Sequence, residues 1–287
     1  MTYETLWHRL TPLYEPGEAK AIVRLVLDKR YGLSWAEVLG GKVTELSAND
    51  QTELEKIMLR LEKGEPVQYI IGVADFCGRS FHVEPGVLIP RPETEELCRM
   101  ILVEGGKWKV EREYSILDIG TGSGCIAITL ALEIQNAKVT AWDISDDALR
   151  IASGNATQLG ADVTFEKCDV LNKSLTSHLS PLTSHYDLIV SNPPYICRKE
   201  ADGMAKNVLD YEPHLALFVS GDDPLLFYRA IAQYAIKALK PQGSLFFEIN
   251  PLYASSLTHL LSMMSCYDIK TLPDQFGKLR FLKATKI

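Results

Sequence analysis

Ile116-Leu117-Asp118-Ile119 runs directly into Gly120-Thr121-Gly122-Ser123-Gly124, and the apolar stretch from Cys125 to Ile134 follows. A short run of β-branched and apolar residues, a glycine-rich turn and an apolar helical stretch read as strand, loop and helix. Glycines let the backbone turn sharply and let a ligand touch it, and the start of the following helix offers unpaired N–H groups. Asp143 closes the next strand, about 20 residues on, where a carboxylate is placed to accept hydrogen bonds from the two hydroxyls of a ribose. The glycine spacing is GxGxG rather than the GxGxxG of dinucleotide-binding loops.

Outward from this loop, strands and helices alternate. Lys138 to Asp143, Val163 to Asp169, Tyr186 to Ser191 and Ser244 to Ile249 read as strands, with short strands near Tyr267–Thr271 and Leu279–Ala284. Helices are expected over Glu93 to Met100, Asp146 to Leu159, Pro224 to Leu239 (ended by Lys240-Pro241-Gln242-Gly243) and Leu252 to Met264. Such alternation predicts an α/β fold, a mainly parallel sheet with helices on both faces. Upstream, residues 1–64 read as a small helical domain. Ile22, Leu25 and Val26 share one helix side; Asp50 and Glu53 resemble a capping box before the apolar stripe Leu54, Ile57, Met58, Leu61. Residues 65–90 read as a linking hairpin, with Gln68 to Val73 and Ser80 to Val83 as its strands. The catalytic domain then spans 91–287.

The most informative stretch is Asp187-Leu188-Ile189-Val190-Ser191-Asn192-Pro193-Pro194-Tyr195. Ligands of open α/β sheets bind at the C-terminal ends of strands. Two consecutive prolines fix φ and remove two N–H donors, leaving rigid carbonyls. Asn192 adds an amide oxygen and Tyr195 an aromatic face. This set suits a planar –NH2 group: the Asn192 side-chain oxygen and the Pro193 carbonyl take one N–H each, and Tyr195 stacks on the flat group. Orientation and fixed acceptors for the charge developing on nitrogen would supply most of the rate gain.

Composition narrows the choice. Of 287 residues, 46% are hydrophobic and 23% charged, ordinary for a globular protein and wrong for a disordered or fibrous chain. The net charge of −7 is spread along the chain, which argues against broad nucleic-acid binding through phosphate neutralisation. No apolar run reaches the ~18–20 residues that span a bilayer, and Met1 to Leu13 lacks a signal-peptide core. The six cysteines (Cys77, Cys98, Cys125, Cys168, Cys197, Cys266) form neither a CxxC pair nor a zinc spacing, and the six histidines form no metal spacing. Reduced thiols, a cytoplasmic location and no metal are the expectation.

The glycine loop with Asp143 resembles the class I methyltransferases, whose Rossmann-like, seven-stranded, mainly parallel sheet binds S-adenosylmethionine. Three further strings sharpen the resemblance: Gly64-Glu65-Pro66-Val67-Gln68-Tyr69-Ile70-Ile71-Gly72, Phe76-Cys77-Gly78-Arg79-Ser80-Phe81-His82-Val83 and Val87-Leu88-Ile89-Pro90-Arg91-Pro92-Glu93-Thr94-Glu95. With Asn192 to Tyr195, Tyr211-Glu212-Pro213, Leu215-Ala216-Leu217, Tyr228-Arg229 and Gly277-Lys278-Leu279-Arg280, they make the chain resemble the bacterial release factor glutamine methyltransferases, the PrmC/HemK family. The resemblance implies methyl transfer to N5 of the glutamine in the GGQ loop of peptide chain release factors. It implies that Asn192, Pro193, Pro194 and Tyr195 bind the glutamine, and that Gly120, Thr121, Gly122, Ser123, Gly124, Asp143, Asp169, Val170 and Asn192 line the S-adenosylmethionine site. The helical domain would help dock the release factor, and the enzyme is expected to act as a monomer without a membrane or a direct nucleic-acid substrate. A ribosomal protein glutamine, or less readily adenine N6, remains an alternative acceptor. Asn250-Pro251-Leu252 after Phe247-Glu248-Ile249, and Ser220-Gly221-Asp222-Asp223, depart from the family's usual loops, away from the proposed chemistry. Arg198, Lys199 and Lys206 read equally as solvated charge or as contacts to the partner.

Overall fold

The computed structural model describes residues 1–105, 112–172, 185–265 and 267–287, so Cys266 lies outside the described residues. Among these residues the chain divides into two units. One comprises Met1–Val73, Val83–Pro85 and Met204–Tyr211, the other Ala74–His82, Gly86–Gly203 and Glu212–Ile287.

In the smaller unit, helices α1 (Tyr3–Leu10), α2 (Pro16–Tyr31), α3 (Trp35–Leu39), α4 (Ala48–Leu61) and α5 (Val67–Ile71) precede α9 (Lys206–Tyr211). The stripe Leu54, Ile57, Met58 and Leu61 packs with Leu6, Leu10, Val23 and Leu27 in one apolar core. Two readings of the sequence change here. Helix α4 is capped by Ser47, whose Oγ accepts from the Asp50 N–H, so the cap sits one turn before the Asp50/Glu53 pair. Residues 67–71 are helical, not extended. Pro66 stands at the N-cap and Gly72, at φ 74°, closes the turn in the left-handed region, and a single turn of mostly apolar residues cannot be told from a strand by periodicity.

The larger unit opens with the two-stranded hairpin β1 (Val73–Phe76) and β2 (Arg79–His82), whose Phe76 and Phe81 are buried in its core. Helix α6 (Pro92–Gly105) follows. Then come β3 (Tyr114–Ile119), α7 (Cys125–Glu133), β4 (Ala137–Asp143), α8 (Asp146–Leu159), β5 (Val163–Lys167), β6 (Tyr186–Ser191), α10 (His214–Leu217), α11 (Leu226–Ala238), β7 (Leu239–Glu248), α12 (Ala254–Ser262), β8 (Tyr267–Pro273) and β9 (Leu279–Lys286). Seven strands form one sheet in the order β5-β4-β3-β6-β7-β9-β8; β5 through β7 run parallel and β9 is antiparallel to both neighbours.

Side-chain alternation makes both faces apolar. Ile116, Leu188, Val190, Phe246 and Phe281 pack with Leu97 and Ile101 of α6 and with α7, while Leu117, Ile189, Leu245, Phe247 and Leu282 pack with α11 and α12. Strands covered on both faces read as continuous apolar runs, which is how Tyr186 to Ser191 reads in the sequence. Strand β7 starts at Leu239, earlier than expected. Residues 240–243 are taken into the strand rather than forming a helix stop, with Gln242 at φ 64° and a register shift between Tyr186 and Leu188 opposite.

The order has a switch point. From β3 the chain passes to β4 on one side, and β6 lies on the other, so the loops leaving β3 and β6 diverge from adjacent strands. A crevice at such a point is the usual ligand position of open α/β sheets.

Candidate active site

Register brings the two informative loops to the same level. Ile119 pairs with Ser191 across β3 and β6, and with Trp142 across β3 and β4. Gly120 and Asn192 are thus the first residues beyond β3 and β6, Asp143 is the last residue of the neighbouring β4, and parallel strands lie only about 4.8 Å apart. The Ser191 hydroxyl, fully buried, donates to the Ile119 carbonyl at 2.6 Å and ties the two ends together.

The glycine loop holds itself open. Gly120, Gly122 and Gly124 all have positive φ, at 76°, 55° and 83°. A Cβ on Gly120 or Gly122 would meet nothing within 4 Å, whereas a Cβ on Gly124 would meet Ile128 Cδ1 at 2.8 Å and Ala152 Cβ at 3.1 Å. The first two glycines therefore border open space and the third lets α7 pack closely on α8. The Gly120 and Thr121 N–H groups donate to the Trp142 carbonyl. The Gly122 N–H donates to Asp143 Oδ2 and the Ser145 N–H to Asp143 Oδ1, both at 2.9 Å. Each oxygen of Asp143 keeps a lone pair for another donor. Burial raises the Asp143 carboxyl above the usual range, against the pull of these backbone donors.

Asp118, just before the loop, is fully buried. Its Oδ2 accepts from the Thr121 hydroxyl at 2.7 Å and the Ala127 N–H at 3.2 Å, while no partner reaches Oδ1 among the described residues. Burial pushes this carboxyl up to about 7. Ser123 Oγ is likewise buried without a partner. Open space at two glycines, spare lone pairs on Asp143 and an orphaned carboxylate oxygen suit a ligand bearing ribose hydroxyls and positive charge. At the next strand end Asp169 is exposed and spends Oδ1 on the Leu171 N–H at 2.9 Å, closing a turn, while Val170 packs on the core.

Around Asn192 the bonds run in one direction. Its Nδ2 donates to Thr94 Oγ1 at 3.2 Å, and the Thr94 hydroxyl donates to Glu248 Oε2 at 2.7 Å. The Tyr195 hydroxyl donates to Glu248 Oε1 at 3.4 Å, and the Tyr228 hydroxyl to the Glu248 carbonyl at 3.0 Å. Asn192 Oδ1 receives no donor among the described residues. Burial pushes the Glu248 carboxyl up to about 7, against the pull of Thr94 and Arg280. Burial also pushes the Tyr195 phenol well up, with the Glu248 charge adding to it. Pro193 is buried and Pro194 half-buried.

Thr94, Glu248, Asp118 and Asn155 belong to this arrangement although the local sequence pattern assigns them no role. Asn155, on α8 and 1% exposed, accepts from the His82 N–H at 2.7 Å and donates to the carbonyls of His82 and Ser123 at 3.0 and 2.9 Å. It ties the hairpin to the glycine loop. The departing loop at Asn250 also lies nearer the site than the sequence suggests. Asn250 Nδ2 and the Tyr253 hydroxyl both donate to Glu200 at 3.1 Å, and Glu200 in turn accepts from the Cys197 N–H, bracing the chain just after Tyr195. Asp223, in the other departing loop, caps the approach to α11 through the Leu225 N–H and pairs with Arg229 at 2.6 Å. Arg198, Lys199 and Lys206 are exposed. No group of three metal-ligating side chains occurs among the described residues, and no helix there is long and apolar enough to cross a membrane.

Comparison with known proteins places this arrangement. Residues 111–260 match the family described as methyltransferase domain, and residues 8–72 the PrmC N-terminal domain. The release factor glutamine methyltransferase of Bacteroides thetaiotaomicron is 47% identical over 277 residues, covering 96% of each chain. The chain belongs to the release factor glutamine methyltransferase family. The Flavobacterium psychrophilum member is 38% identical, over 96% of this chain and 94% of its own. The methyltransferase fold is shared more widely: the Thermus thermophilus 16S rRNA N2 G1207 methyltransferase, solved with AdoMet and guanosine, superposes with a TM-score of 0.52 at 22% identity, covering 75% of this chain and 50% of that one. The class I sheet and helical N-terminal region expected of a release factor glutamine methyltransferase are thus both present.

Proposed function

We propose that this protein transfers the methyl group of S-adenosylmethionine to the side-chain nitrogen of the glutamine in the GGQ loop of peptide chain release factors. The observation that carries this reading is the adjacency of an unsatisfied Asn192 amide oxygen to the glycine loop, on strand ends tied by the Ser191–Ile119 bond. Residues 120–124, Asp143, Asp169, Val170 and Asn192 would hold the cofactor, which supplies an electrophilic methyl group on a sulfonium. Asn192 Oδ1 and the Pro193 carbonyl would each accept one N–H of the glutamine amide, and Tyr195 would pack on its plane. Holding both N–H groups aims the nitrogen and draws its electron density toward the incoming carbon. A C–N bond would form as the C–S bond breaks, and the nitrogen would lose one proton to solvent. Orientation and fixed acceptors supply the acceleration. We assign residues 1–64 to docking of the release factor, residues 65–90 to the link and residues 91–287 to catalysis, and a cytoplasmic location.

The test uses labelled S-adenosylmethionine with three acceptors: a release factor, its GGQ Gln→Ala variant and duplex DNA. Label is expected in the intact release factor alone. Asn192→Ala is expected to lower the rate by about 10²-fold, by analogy with one lost oxyanion-hole donor, with cofactor affinity largely kept because residues 120–124, Asp143, Asp169 and Val170 remain. Label in DNA or in the Gln→Ala factor would overturn the reading.

A further inference from the structure

We propose that Thr94 and Glu248 form a one-way hydrogen-bond relay that fixes the Asn192 amide with its oxygen toward the substrate nitrogen, so that both are positioning residues for the methyl transfer. The proposal rests on the function proposed above and adds to it what keeps the acceptor the right way round.

An asparagine amide has two ends of nearly equal size, and only one of them can accept an N–H. If Asn192 presented Nδ2 to a glutamine amide, two donors would face each other and the substrate would be repelled. The side chain alone does not choose. The choice is made at the far end of the relay. An ionised Glu248 only accepts, so the Thr94 hydroxyl must donate to it, as it does at 2.7 Å. The Thr94 oxygen then has lone pairs but no proton to offer, so the Asn192 end at 3.2 Å must be the donor, Nδ2. Oδ1 is left for the substrate. Thr94 is 3% exposed and Glu248 2% exposed, so water does not compete for these positions. The second oxygen of Glu248 accepts from Tyr195 at 3.4 Å, which links the stacking residue to the same anchor.

The anchor is built by distant parts of the larger unit. Glu248 ends β7 and is faced by Thr94 and Glu93 of α6, by Tyr195 after β6, by Arg280 of β9 and, at its carbonyl, by Tyr228 of α11. Protonation of Glu248 would let its own O–H donate to Thr94. The Thr94 hydroxyl would then be free to turn toward Asn192 and favour the wrong end of the amide. The relay is therefore polarised only while Glu248 is ionised.

Three variants and two readouts test this. Thr94→Val keeps the shape and removes the hydroxyl; kcat is expected to fall on the order of 10–100-fold, as for outer-shell partners of metal ligands, with the KM for S-adenosylmethionine unchanged. Thr94→Ser restores the hydroxyl and is expected to recover most of the rate. Wild-type kcat is expected to fall as pH drops below about 7, where the buried carboxyl takes up its proton, and Glu248→Gln to lose that inflection. The second readout needs no substrate: the 15N side-chain amide resonance of Asn192, assigned by its loss in Asn192→Ala, is expected to shift in Thr94→Val and not in Thr94→Ser. A Thr94→Val enzyme with wild-type kcat, a Thr94→Ser enzyme as slow as Thr94→Val, an inflection unchanged in Glu248→Gln or an unmoved resonance would each overturn the relay. Should the wild type methylate no release factor, the function proposed above falls while the resonance still decides the relay.

Discussion

Gly122→Ala and Gly124→Ala separate the two uses of the glycine loop. Both place an alanine in the left-handed region, at φ 55° and 83°. That conformation costs an L-residue about 1–2 kcal/mol. At Gly124 the new Cβ also lies 2.8 Å from Ile128 Cδ1 and 3.1 Å from Ala152 Cβ. The Ile128 tip can move only by displacing other atoms of a fully buried side chain, and Ala152 belongs to the body of α8. Overpacking of this kind adds about 1–3 kcal/mol. Alanine also stiffens the unfolded chain, which returns about 0.4–1 kcal/mol. The three contributions leave Gly124→Ala destabilised by about 1–4.6 kcal/mol, and the two that apply at Gly122 leave Gly122→Ala destabilised by about 0–1.6 kcal/mol. Ligand binding should rank the other way. The open side of Gly122 is where we place the cofactor, and a methyl group there is expected to weaken S-adenosylmethionine binding by about tenfold or more, equivalent to about 1.4 kcal/mol. Urea unfolding followed by tryptophan fluorescence gives the first quantity and isothermal titration the second. Equal loss of stability in the two variants, or undiminished cofactor affinity in Gly122→Ala, would refute the division of labour.

Other expectations follow from the same geometry. Asn155→Ala removes the tie between Ser123 and His82 and should cost about 1–3 kcal/mol in urea unfolding while also weakening cofactor binding; unaltered affinity would mean that the glycine loop holds its shape unaided. Asp118 and Glu248 both sit near 7 in the folded protein, above their usual 3.8 and 4.5. The unfolded chain therefore releases these protons first, and stability should decline as pH rises from about 4 to 7 and level off above that. A urea midpoint that rises over this window, or that declines as steeply in Glu248→Gln, would contradict the assignment. A net charge of −7 should steer the enzyme toward a basic partner, so kcat/KM for a release factor is expected to fall with added salt, and rates insensitive to ionic strength would count against steering.

What the sequence discloses and what it hides divide along physical lines. The glycine loop and the Asn192 loop are contiguous strings after apolar strands, so local pattern reveals them, and alternation along Ile116-Leu117 or Phe246-Phe247 foretells a sheet covered on both faces. Thr94 and Glu248 are 154 residues apart and meet only because α6 packs against the sheet beside β7. Nothing in the run Leu245-Phe246-Phe247-Glu248-Ile249 separates a buried acid with two hydroxyl donors from a charge at a strand end. Asn155 likewise reads as a polar position on an amphipathic helix. Gln68 to Val73 reads as a strand because a short, mostly apolar stretch has no period to resolve, and the flanking Pro66 and Gly72 serve turns and helix ends alike.

Strand β9 lies inside the sheet, between β7 and β8, although it comes later in the chain than either. As the chain is made, β7 therefore waits with an unpaired edge through residues 249–278. At ordinary elongation rates of ~5–20 residues per second that wait is roughly 2–6 s. An open strand edge invites pairing with other chains, so this interval is when the nascent protein most needs protection. Glu248 pairs with Phe281 of β9, so the anchor of the Asn192 relay is seated only when β9 docks. A chain whose sheet is unfinished therefore lacks the seated Glu248 on which the proposed relay depends.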